Sequence, residues 1–162
     1  MQNVRIIEIP KMKVVTSGPI YTMEAFEAFN QWFTEYHNSL SCELTPRDFM
    51  WYNEIKQATE WIYALPAGAK EEDCGGYEVK EFSFGLYAVA VCIDADLDKA
   101  EDWKRTQEEI KQWVNSSELF ELATPDNDPI ERFNMFHIVT PGWLQEKEFC
   151  LEDMYVPIVL KE

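Results

Sequence analysis

One arrangement limits this chain more than any other: a β-like segment, a helix-period segment and two short strand-like segments, followed by the same order again. The first helix-period stretch is MEAFEAFNQWFTEYHN. Phe26, Phe29, Phe33 and Tyr36 recur in it at helical spacing, Ala25 and Trp32 sit beside them, and Thr22 is placed to cap the N-terminus. The second carries Asp98 and Glu101 in capping-box spacing, then an apolar stripe of Ala100, Trp103, Ile110, Trp113 and Val114. VRIIEIPKMKVVTSGP, broken at Pro10 and closed by Gly18-Pro19, precedes the first helix, and DFMWYN and EWIYALPA follow it. YEVKEFSFGLYAVAVCID precedes the second as one long strand region with Gly85 as a bulge or kink, apolar on both faces from Leu86 to Ile93. FELATPDNDPIERFNMFHI and EFCLEDMYVPIVLKE close the chain, and Pro157 predicts an edge position or strand end for the last strand. An amphipathic helix must bury its stripe, so each helix needs a sheet face to cover. The expectation is an α+β fold of tandem duplicated strand-helix-strand-strand units, about residues 1–70 and 76–162 of a single 162-residue domain. The units form antiparallel sheet with a helix on each, and a ligand cleft is expected between the repeats.

Composition narrows the function. With 30 acids against 14 bases the net charge is −16, and no cluster of Lys and Arg offers a phosphate-binding surface. That argues against direct nucleic-acid binding and against an anionic membrane surface. An acidic surface fits a cationic partner, although solubility alone also explains it. The cysteines Cys42, Cys74, Cys92 and Cys150 form no CxxC pair, and His37 and His137 are the only histidines. Neither a zinc site nor a disulfide framework is expected, and no cofactor. The start MQNVRIIEIPKMK has no apolar stretch of signal length, so a reduced, cytoplasmic protein is expected. Six Trp, seven Tyr and ten Phe are enough rings to hint at an aromatic-lined cavity.

Several stretches carry a family likeness. IIEIPKMKVVTSGPI, VKEFSFGLYAVAV, WVNSSELFEL, IERFN and MYVPI, in that order and spacing, resemble the effector-binding domain of AraC-type regulators, also called the GyrI-like small-molecule-binding domain. The resemblance spans nearly the whole chain. It implies a small-molecule binder of the sensing, sequestration or multidrug-resistance kind linked to transcription regulation. It also implies a stand-alone member, without the DNA-reading helix-turn-helix module often fused to such domains. Some GyrI-like proteins hydrolyse strained cyclopropane rings of toxic compounds with a pocket glutamate, so the resemblance admits an enzyme as well.

The candidate site centres on Glu131. In a strand, Glu131, Phe133, Met135 and His137 would share one face, an acid at the head of an apolar run. Burying a lone carboxylate is costly unless its pKa rises or a cation arrives, and aromatic walls add about 0.5–2 kcal/mol per good ring contact to a cation. The resemblance agrees, since the family's matching glutamate faces the ligand cavity. Phe133, Trp51, Trp61, Tyr63, Trp103 and Trp143 are the candidate walls, each also a candidate for ordinary core. Three readings follow. The protein binds a small hydrophobic, cationic or aromatic compound, or it hydrolyses such a compound with Glu131 as base, or its acidic surface inhibits a partner protein. His37, near a helix end, is expected to bond the last helical carbonyls, and Glu101 is expected to pair with Arg105.

Overall fold

The computed structural model describes residues 3–39, 48–82, 85–93, 100–140 and 150–161, without the side chains of residues 100 and 101. In chain order the elements are β1 (Arg5–Glu8), β2 (Met12–Ile20), α1 (Met23–Ser39), β3 (Asp48–Asn53), β4 (Ala58–Ala64), β5 (Glu78–Phe82), β6 (Leu86–Ile93), α2 (Ala100–Ser116), β7 (Phe120–Leu122), β8 (Met135–Ile138) and β9 (Leu151–Leu160). Met12–Phe82 forms one compact unit, here the α1 unit, and the chain on either side of it forms the other, the α2 unit. The α+β class and the antiparallel pairing are as expected. The division differs from the 1–70 and 76–162 grouping because β1 and β5 are each exchanged. Pro10 fixes φ and offers no N–H, and at that break β1 leaves to pair with β6 while β2 continues between β4 and β5.

The α1 unit is a four-stranded antiparallel sheet in the order β3-β4-β2-β5. Register puts Trp61 and Tyr63 of β4 on the face covered by α1, and Glu60 and Ile62 on the far face. Thr22 caps α1 as predicted, its Oγ1 accepting from the Ala25 N–H at 3.2 Å. The helix is held by rings. Phe26, Phe29 and Phe33 lie 5.1–5.4 Å from Trp61, and Phe33, Tyr36 and Trp32 lie 5.3–6.0 Å from Tyr63. Such pairs add about 0.5–1.5 kcal/mol each beyond the area they bury. His37 does not bond the helix carbonyls. Its Nδ1 lies 3.1 Å from the Tyr63 hydroxyl, because the same ring cluster draws it inward. The Gly75-Gly76 turn has positive φ at both residues. A Cβ at Gly75 would stand 2.4 Å from Trp32 Cδ1, so glycine is required for this loop to close on the helix.

The α2 unit runs β1-β6-β9-β8, with β7 also on β9. Its core is aliphatic: Ala88, Ala90 and Cys92 of β6 and Met154, Val156 and Ile158 of β9 meet Ile110 and Val114 of α2. Arg105 pairs with Asp102, three residues back; the expected Glu101–Arg105 pair falls on a side chain outside the described residues, and Asp98 of the expected capping box lies outside them as well. Strand β9 is central and not an edge. Pro157 is tolerated there because the strand changes neighbours at that point, from β8 (ending at Tyr155) to β7 (starting at Ile158). The Pro157 carbonyl accepts from Ala123 N–H on that side, so the missing donor falls in the changeover, where no ladder bond is needed. The expected single strand from Tyr77 to Asp94 is two strands of different units, β5 ending at Phe82 and β6 starting at Leu86. Within β6, Tyr87–Ala90 and Cys92 are buried, while Ile93 at the strand end is 56% exposed. Among the described residues, no helix is long and apolar enough to cross a membrane.

Candidate functional site

Strand β8 begins only at Met135, so the expected face of Glu131, Phe133, Met135 and His137 is not formed as one strand. Residues 123–134 are irregular, and Glu131 is exposed. The reason is Arg132. Its guanidinium bonds Asp128 through Nε (2.7 Å) and Nη2, and reaches the carbonyls of Leu86 (2.8 Å) and Ile158 (3.1 Å). The Arg132 and Asp128 side chains are only 4% and 7% exposed. This clamp turns residue 132 inward and its neighbour Glu131 outward. It also explains Gly85, where a Cβ would stand 2.6 Å from Arg132 Nη1. Glu131 lines an open groove of about 360 Å³ with Thr124, Pro125, Pro129 and Ile130.

The other candidates separate. Trp61 and Tyr63 do share a face, but it is the face under α1, where they are core. Trp51 lies on the opposite face of the same sheet, its register partner being Glu60, and its ring is 5.6 Å from Phe82. Trp103 stacks on Phe136 at 5.0 Å beside the α2 core. Phe133 is half-buried in the irregular stretch, and Trp143 lies outside the described residues.

What the described residues bring into apolar surroundings instead is a set of buried acids: Asp48, Glu60, Asp128, Glu152 and Asp153. Asp128 is spent on Arg132, and Asp48 accepts the Trp61 indole N–H at 3.0 Å. Glu60 and Asp153 lie on the far faces of their sheets. Asp153 is opposite His137 on β8 and alternates with Tyr155 on β9, and Tyr155 sits 6.1 Å edge-on from Tyr87. Its counter-ion is Arg5, from β1. Glu60 stands opposite Trp51 and takes Asn53 Nδ2 and Lys56 Nζ, each at 2.9 Å, on one oxygen.

Glu152 points the other way, beneath α2. It is fully buried, and its pKa is pushed up to about 7, chiefly by burial. Cys150, the Trp103 indole and His137 pull in the opposite direction. The Trp103 N–H favours the carboxylate without meeting hydrogen-bond geometry: among the described residues neither Trp103 Nε1 nor Glu152 Oε2 has a partner. The visible signal for these acids was the adjacent pair Glu152-Asp153 inside the apolar run LEDMYVPIVL, which alternation alone assigns to opposite faces.

No protein-family model and no curated protein sequence matches the chain. Solved structures do. A hydrolase from Listeria innocua aligns with a TM-score of 0.65 at 13% identity, over 98% of this chain and 92% of that one. The C-terminal domain of EcmrR aligns at 0.63 and 11% identity, covering 98% of each. SAV2435, solved bound to tetraphenylphosphonium, aligns at 0.50 and 10% identity over 97% and 94%. At such identities the likeness is one of fold alone.

Proposed function

We propose that the protein is a cytoplasmic binder of small hydrophobic cations that carry aromatic rings, serving sensing, sequestration or resistance. The observation that carries this reading is Asp153, a buried carboxylate on a far sheet face that it shares with Tyr155, which in turn sits edge-on to Tyr87; Glu60 opposite Trp51 repeats it in the other unit. Aromatic rings recognise a delocalised cation through their faces and through apolar area, and a desolvated carboxylate adds a strong charge term. The fold shared with a tetraphenylphosphonium-bound protein supports the same class of ligand.

Calorimetric titration with tetraphenylphosphonium tests this, with tryptophan fluorescence as a second signal. The expected Kd is about 10 μM, that is about −7 kcal/mol. Asp153→Asn or Glu60→Gln, whichever face is used, should weaken it about 5- to 30-fold. Glu131→Gln should change it less than about twofold, since an exposed charge is screened by water. No binding by the wild type would refute the reading. Hydrolysis is the second reading, and the exposure of Glu131 in its open groove favours it, because a base that activates water needs water at hand. Turnover of a cyclopropane-bearing compound, abolished by Glu131→Gln, would establish it.

A further inference from the structure

Both far-face acids are neutralised in the same manner, and the manner is informative. The Asp153 side chain is 8% exposed, yet that of its partner Arg5 is 51% exposed. The Glu60 side chain is 4% exposed and that of Lys56 is 47% exposed. Each base reaches in from the rim. Arg5 sits on β1, a four-residue strand that among the described residues pairs with β6. Lys56 sits in the tight β3–β4 turn, next to Ile55 at 93% exposure and Gln57 with φ 52°. Each base thus keeps about half of its side chain in water while its acid is buried.

Permanent ion pairs inside proteins look different, and this molecule contains one. Arg132 and Asp128 are both buried, and Arg132 also donates to two backbone carbonyls. A rim base facing a buried acid gives up little when it leaves. Its own charge returns to full hydration, and only the acid then needs a substitute. An incoming organic cation with delocalised charge supplies one at a smaller dehydration cost than a guanidinium or an ammonium.

We propose that Arg5 and Lys56 are displaceable internal counter-ions, which occupy the places of the ligand's cationic group at Asp153 and Glu60 and so restrict binding to compounds that carry a cation of their own. This rests on the cation-binding reading above. In the unliganded protein each base keeps its acid satisfied, and a neutral aromatic compound that displaced it would strand a buried carboxylate. A cation does not. The pairs therefore act as a brake on cations, while the buried acid that each base covers disfavours neutral ligands with or without it.

The test is calorimetry at pH 8 with tetraphenylphosphonium, and with a neutral tri-aryl compound of similar size, on the full chain and on Arg5→Gln and Lys56→Gln. At the face in use, removal of the counter-ion should tighten the phosphonium about 5- to 30-fold and leave the neutral compound within about twofold. In the wild type, saturation with the phosphonium should release the corresponding side chain, seen as a narrowed Arg5 Nε–H or Lys56 Nζ signal by ¹⁵N NMR. This second readout needs no variant to fold. Wild-type binding with no tightening in either variant and no released signal would overturn the counter-ion role and leave the binding function standing. Absence of binding in wild type and variants alike would remove both.

Discussion

The two units reach the same order of elements with different chemistry under the helix. Under α1 almost every contact is a ring: Phe26, Phe29, Trp32, Phe33 and Tyr36 against Trp61, Tyr63 and Tyr77. Under α2 the contacts are Ile110 and Val114 on Ala88, Ala90, Met154 and Val156, with Trp103 and Trp113 only half-buried beside them. On the far faces the units agree, each with a buried acid, aromatic neighbours and a base drawn in from the rim. The difference shows that the helix side answers to packing, which many side-chain sets satisfy. The shared pattern on the far side has no packing explanation, since an apolar residue would be cheaper to bury than Asp153 or Glu60.

The packing half of the comparison is tested by truncation. Trp61→Ala removes the ring on which three α1 phenylalanines converge and should cost about 3–5 kcal/mol; Ile110→Ala should cost about 2–4 kcal/mol. Chemical denaturation measures both. Equal costs below about 1 kcal/mol would mean that neither helix depends on the cluster assigned to it.

A smaller effect separates the units by pH. Glu152 has no counterpart in the α1 unit with a comparable shift among the described residues, and its pKa is raised from 4.5 to about 7. Between those values the unfolded chain has lost the proton that the folded chain keeps. Stability should therefore fall as pH rises from about 4.5 to 7, by up to about 3 kcal/mol, and then level off. Other carboxylates contribute their own slopes, so the informative quantity is the difference between wild type and Glu152→Gln. That difference should favour the wild type at low pH and the variant at pH 8. A variant whose stability tracks the wild type at every pH would show that Glu152 is already solvated in the fold.

Much of this was legible in the residues. Thr22 and the aromatic spacing announced α1, and the alternation of Trp61 with Tyr63 correctly put them on one face. What failed depended on distant partners. YEVKEFSFGLYAVAV reads locally as one strand, and only the pairing of β5 with β2 and of β6 with β1 and β9 shows that it is two. IERFNMFHI reads as one strand as well, until Arg132 is seen to turn inward and bond Asp128. That clamp sends Glu131 to solvent, so the acid most visible in the sequence is not the buried one. Asp153 and Glu60 were hidden for a related reason. An acid within an apolar strand shows that one face is unusual, but register with β6, β8 and β3 decides which.

The central claim is that a cation is received on the far faces, away from the helices. Four methionines report on it directly. Met12 and Met135 lie on far faces, through their pairing with Phe82 and Tyr155, whereas Met50 and Met154 lie under the helices, paired with Trp61 and Phe136. In a ¹³C-methyl-methionine NMR titration with tetraphenylphosphonium, the account predicts ring-current shifts at Met135, Met12 or both, and still signals from Met50 and Met154. Shifts confined to Met50 and Met154 would place the cation beneath the helices and contradict it.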